Sequence, residues 1–107
     1  MENNVLNTSG IDFSAIDGEV FNELVSFKNT TIERIVSSGH VSSEDWMDQS
    51  HFEWVAVIQG EACVIFDTQE TFVLKTGDHL SIPPRQKHRV TYTSTNPECI
   101  WIAVHIK

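Results

Sequence analysis

The chain has 107 residues, 40% hydrophobic and 21% charged, the usage of an ordinary globular domain and not of a disordered segment. Its 15 acids against 7 bases leave a net charge of −8, which repels phosphate backbones and anionic bilayers; neither nucleic acid nor membrane is an expected partner. No apolar run nears the ~20 residues of a spanning helix. Met1-Glu2-Asn3-Asn4 lacks the basic start and apolar stretch of a secretion signal, so a cytoplasmic protein is expected.

The charge is uneven. Residues 1–50 carry a net −7 and residues 51–107 only −1, with three bases crowded into Arg85-Gln86-Lys87-His88-Arg89. Cys63 and Cys99 sit in apolar runs without CxxC spacing and read as buried free thiols of a reducing compartment.

Residues 1–29 read as an N-terminal segment and 30–107 as the main domain. Asp17 is placed to cap a short helix over Glu19–Val25, where Val20/Leu24 and Phe21/Val25 form four-residue pairs. At about two turns such a helix is stable only when docked on a sheet. From Thr30 the pattern changes to strands. Thr31–Ser37 is rich in β-branched residues, and Glu53–Ile58 is apolar on both faces, as a strand covered from two sides would be. Gln59-Gly60 turns into Glu61–Phe66, Asp67–Glu70 into Thr71–Leu74, and Lys75–Asp78 into His79–Ile82. Beyond Pro83-Pro84 come Lys87–Thr93, a loop over Ser94–Glu98, and Cys99–Ile106. Short strands at about ten-residue spacing, punctuated by Gly and Pro, predict an all-β sandwich or barrel.

Two motifs on these strands carry a resemblance. Glu53, six residues, then Gly60 resembles the second half of the first cupin motif; Gly77, five residues, Pro83, four residues, His88 resembles the second. The short gap Glu61–Thr76 resembles that of bacterial single-domain cupins, as do Glu33–Ser37, Trp46–Gln49 and His88–Val90. The resemblance covers roughly residues 30–106. It implies a double-stranded β-helix (jelly-roll) barrel, with the short N-terminal helix docked outside.

For the site, the resemblance implies a divalent metal held inside the barrel by a His-x-His pair, a Glu and a second-motif His. Glu53 and His88 match the last two. The His-x-His is absent: a four-residue gap places Trp46 and Asp48 at its positions, a three-residue gap Met47 and Gln49. The second-motif Gly is Arg85 here, and the closing Asn is Tyr92. By the two-residue period Glu53, Val55 and Val57 share one face, and His88, Val90 and Tyr92 another. Asp48 is the candidate third ligand, with Gln49 and His51 as further donors. One imidazole with two carboxylates suits manganese, iron(II), zinc or nickel.

Without metal, Glu53 and His88 form a candidate acid–base pair. Trp46, Tyr92 and Arg89 are candidate pocket residues, while His40, His79 and His105 read as structural or solvated. Trp46, Trp54 and Trp101 carry the area of a core or dimer face. Two functions stay open: a metal-dependent oxygenase, isomerase or lyase acting on a small polar metabolite, or a non-catalytic small-molecule-binding module. Apolar strands such as Cys99–Ile106 lead to the expectation of a homodimer.

Overall fold

Eight strands build the domain: β1 Glu19–Phe27, β2 Thr30–Ser37, β3 Phe52–Gln59, β4 Ala62–Phe66, β5 Thr71–Leu74, β6 His79–Ile82, β7 His88–Thr93 and β8 Cys99–Ile106. The computed structural model describes residues 3–13 and 18–107, and no α-helix occurs among them. The strands form an antiparallel five-stranded sheet, β1-β2-β8-β3-β6, and a three-stranded sheet, β5-β4-β7. The all-β barrel expected from turn spacing is therefore present, with β2 through β8 close to their expected bounds.

The helix expected over Glu19–Val25 is instead β1. It pairs with β2 from Glu19↔Ser37 to Phe27↔Thr30, across the short Lys28-Asn29 connection. Half-buried Val20, Asn22 and Leu24 interleave with exposed Phe21, Glu23 and Val25, and a bulge between Glu23 and Val25 turns Phe21 and Val25 to opposite faces of the strand. A two-turn helix is marginal. A β-rich neighbour one tight turn away offers the backbone a full ladder, and the ladder prevails. Asp17, the expected cap, lies outside the described residues.

The core fills the space between the sheets. Val55 and Val57 of β3, Leu80 and Ile82 of β6, and Trp101 and Ala103 of β8 meet Val64 and Phe66 of β4. Burial of each larger aliphatic or aromatic side chain contributes roughly 1.5–3 kcal/mol. Both cysteines are free; Cys99 is fully buried, and that burial, with Glu19 adding a little, pushes its thiol up to about 12. On the opposite side of the large sheet, buried Arg34 donates to the carbonyls of Val5 and Asn7 and to Asn22 Oδ1. The N-terminal segment is thereby tied to the barrel.

Gly60 closes the β3–β4 turn at φ 78°. A Cβ there would press on Ser94 Oγ and stand 2.9 Å from the Glu98 carbonyl oxygen and 3.1 Å from Cys99 Cα. Gly60→Ala is expected to cost about 1–3 kcal/mol, from the left-handed backbone and the backbone clash together. A urea midpoint equal to that of the parent would show that the turn relaxes freely.

Candidate functional site

The register of the large sheet determines which polar side chains share its inner face. Glu53 of β3 lies directly opposite His105 of β8, and Glu33 of β2 lies opposite Ala103, two residues away on the same strand. Because side chains alternate along a strand, Glu33, Glu53 and His105 all face inward. They line a cavity of about 210 Å³ between the sheets.

The facing wall is set by β7 and the segment before β3. Met47 and His88 exchange both backbone hydrogen bonds, at 2.8 and 3.1 Å, and Ser42 N donates to the Val90 carbonyl. Residues 42–47 thus run along the free edge of β7. This carries Met47 and Gln49 to the cavity, which both line, whereas Trp46 and Asp48 do not. The structure so decides between the two spacings: the three-residue gap is the one that reaches the barrel interior.

Glu53 is 8% exposed and His88 3% exposed. Gln49 Nε2 donates to Glu53 Oε1 at 2.9 Å, and Glu53 Oε2 stands 3.9 Å from His105 Nε2. His88 Nδ1 donates to the Gln86 carbonyl at 2.8 Å, which makes Nε2 the bare acceptor of the neutral ring. His105 Nε2 donates to Glu33 Oε1 at 2.8 Å, and its Nδ1 accepts from His51 Nε2 at 2.8 Å. At the rim, Glu19 accepts from the Ser37 hydroxyl at 3.1 Å and stands 3.6 Å from His40 Nε2. Burial pushes the Glu19 carboxyl above its ordinary range, against the pull of His40.

The expected site residues thus divide. Glu53, His88 and Gln49 line one cavity. Asp48 does not; its carboxylate pairs with Arg85 at 3.1 Å. His51 contacts the cavity only through His105. Arg89 stacks on Trp46 with 4.7 Å from guanidinium carbon to ring centroid, and donates to the Glu44 carbonyl. Tyr92 was expected to share a face with His88 and Val90. A bulge intervenes, because Val90 pairs with Val64 and Tyr92 with the next residue back, Cys63. The extra residue turns Tyr92 to the outer face, 46% exposed.

Glu33 and His105 were not expected at the site. Their signal is present in the alternation: Trp101, Ala103 and His105 share one face of β8, as Glu33 and Ile35 do on β2. Proximity to the chain end made His105 look solvated.

A metal centre was the other expectation, and the donor chemistry does not fit one. Where the resemblance implies two imidazoles stand the Met47 thioether and the Gln49 amide, and that amide donates to Glu53. A soft thioether, an amide, one carboxylate and one imidazole do not match the ligands of manganese, iron(II), zinc or nickel. Among the described residues no three His, Cys, Asp or Glu side chains are grouped to hold a metal ion.

With this geometry established, comparison with known proteins defines the class. The family model described as "Cupin domain" matches residues 33–105, and the chain belongs to that family. A protein of known structure from Ralstonia eutropha, provisionally named a mannose-6-phosphate isomerase, is 32% identical. That similarity covers 100% of this chain and 98% of the other, with a TM-score of 0.87. An RmlC-like cupin from Shewanella frigidimarina shares the fold at 20% identity and TM-score 0.72, over 86% of this chain and 78% of its own. A cupin superfamily protein from Desulfitobacterium hafniense does so at 17% and 0.70, over 82% and 76%. No curated protein matches the chain.

The His51–His105 pair makes stability depend on pH. Burial, and next the neighbouring His105, hold the His51 imidazole below its ordinary 6.5. The unfolded chain then binds more protons than the folded one below about pH 6.5, so this contribution is present above that pH and is lost as pH falls through it. Glu19 acts in the opposite sense: its contribution is present below 4.5 and fades as pH rises through its raised value. The urea midpoint is expected to fall between pH 7.5 and 5.5, and to fall less in His51→Gln. An equal fall in both proteins would place the dependence elsewhere.

Proposed function

We propose that this cupin takes one compact polar metabolite into the barrel and holds it without a resident metal, with Glu53 and His88 as the contact residues. The observation that carries this reading is a pair of mostly buried side chains that line the cavity, each with one polar atom left open to an occupant. Glu53 Oε2 and His88 Nε2 accept no hydrogen bond from the described residues, although both residues are more than nine-tenths buried. Both atoms are open to the cavity rather than sealed away, since neither is among the fully buried side-chain atoms that lack a partner, so each is free to bond an occupant. At about 210 Å³ the cavity falls below the ~300–1,000 Å³ of drug-sized ligands, which supports a small metabolite.

A second reading, metal-independent isomerisation or elimination by proton transfer, is favoured by one observation. His88 Nε2 is a bare imidazole acceptor in the same cavity as the Glu53 carboxylate, the arrangement a general base requires. The provisional isomerase name of the R. eutropha relative belongs to the same reaction class. A metabolite screen by thermal shift, run with chelator present, tests both readings. A bound compound is expected to lose about tenfold or more in affinity in Glu53→Gln and in His88→Gln, one charge-assisted hydrogen bond each. Turnover of that compound would establish the second reading. The untagged protein is expected to carry far less than one equivalent of metal. Near-stoichiometric metal, lost in Glu53→Ala and His88→Ala, would overturn the metal-free reading.

The outer face of the large sheet supports a homodimer. Val25, Phe27 and Ile106 are 49%, 67% and 46% exposed, and register puts them on one side with Ile32, Trp54 and Val104. An apolar surface of that extent favours a self-complementary partner. Sedimentation equilibrium is expected to give a dimer, and Phe27→Glu to shift it toward monomer. A parent that stays monomeric at high concentration would refute the assignment.

A further inference from the structure

Resting on the metal-free binding reading, the cavity's free atoms specify more than polarity. Glu53 Oε1 takes the Gln49 amide hydrogen, which leaves Oε2 without a hydrogen bond from the described residues. Glu33 Oε1 takes His105 Nε2–H, which leaves its Oε2 in the same condition. Gln49 gives one amide hydrogen to Glu53, which leaves its second N–H and its side-chain oxygen. His88 spends its N–H on the Gln86 carbonyl, so a lone pair remains. Four acceptors thus remain, Glu53 Oε2, Glu33 Oε2, Gln49 Oε1 and His88 Nε2, against two neutral donors, the second Gln49 N–H and the hydroxyl of Ser42, whose oxygen accepts from Val90 N. A carboxylate or phosphate placed against the four acceptors would meet lone pairs, two of them on carboxylates.

The charges agree. Three glutamates and three histidines line the cavity, and no lysine or arginine does. With the carboxylates ionised, the lining runs from −3 with all three imidazoles neutral to zero with all three protonated, and is never positive. Cations near the site are engaged elsewhere: Arg85 with Asp48, Arg89 with Trp46 and the Glu44 carbonyl, and Arg34 with the N-terminal segment. Ile35, Val55, Val64, Ile82, Val90 and Trp101 give the cavity an apolar wall.

We propose that the ligand of this cavity is a compact organic cation, a protonated amine with a small apolar body, whose N–H groups are received by Glu53 Oε2 and His88 Nε2. The carboxylates alone would not specify a site. The independent feature that points to a donor is the cavity itself: Glu53 Oε2 and the His88 Nε2 lone pair stand open in it, and no cationic side chain lines it. A protonated amine supplies up to three N–H donors and a charge that offsets the glutamates, and its carbon skeleton meets the aliphatic wall.

An isosteric series separates the possibilities. Propylammonium, 1-propanol and propionate share size and skeleton and differ in charge and donor count; mannose 6-phosphate and Mn²⁺, Zn²⁺ and Ni²⁺ complete the set. Binding to the untagged protein is read from NMR shifts of the Trp101 indole and the His88 ring. Propylammonium is expected to bind at least about tenfold more tightly than propanol, and propionate and mannose 6-phosphate to leave these signals unmoved. In Glu53→Gln and Glu33→Gln, folded by their unchanged dispersion of amide signals, the preference for the ammonium ion is expected to collapse toward the alcohol's level.

Preference for propionate or the sugar phosphate overturns the proposal. Binding of the alcohol with no gain for the ammonium ion overturns it and leaves the small-molecule reading intact. Displacement of propylammonium by a divalent ion in the parent, lost in Glu53→Gln, overturns it in favour of a metal site. No shift with any member of the series overturns both this proposal and the reading on which it rests.

Discussion

The placement of β8 between β2 and β3 is the constraint on which the rest of the structure depends. One strand hydrogen-bonded along both edges fixes two registers at once, and a slip of one residue in either would turn the inner set of side chains outward. In the observed register Val57, Trp101 and Ile35 form one inner row, Val55, Ala103 and Glu33 the next, and Glu53 and His105 the one beyond. The apolar members of these rows pack into the core, while Glu33, Glu53 and His105 open into the cavity. Packing and site are therefore set by the same ladder: Trp101 seals the floor on which Glu33, Glu53 and His105 stand.

Most of this architecture was legible because turn chemistry and alternation are local. Gly60, Gly77 and the Pro83-Pro84 pair mark strand ends where they stand, and the Glu53/Val55/Val57 face is buried as the two-residue period requires. The failures share a cause, which is that non-local pairing decides between locally equivalent readings. Glu19–Val25 satisfies helical and strand spacing alike, and only the ladder with β2 separates them. Tyr92 follows His88 at even spacing, and only the partner strand shows that a bulge has inserted a residue between them.

The site was legible to the extent that a motif named its residues. Glu53 and His88 are brought to one cavity, and the open choice between two spacings is resolved toward Met47 and Gln49 by the pairing of Met47 with His88. Glu33 and His105 lie 72 positions apart in the chain and meet only through the β2–β8 register. No single-strand pattern joins them. Asp48 fails for a simpler reason: alternation along residues 46–49 allows only one parity to face inward, and Arg85 is at hand to neutralise the other.

Relative to the pattern the resemblance implies, the polar weight of this barrel has moved across the cavity. The side that would carry two imidazoles carries a thioether and an amide, groups that neither gain nor lose a proton near neutral pH. The opposite side has a carboxylate on β2 hydrogen-bonded to an imidazole on β8, beside the Glu53 carboxylate. Such an exchange removes nitrogen ligands and adds anionic acceptors within the same fold. The barrel explains why a cavity exists between the sheets, and the side chains on its walls set that cavity's charge. Two chains 32% identical over nearly their full lengths can therefore share a fold, while a few inward positions determine what each barrel holds.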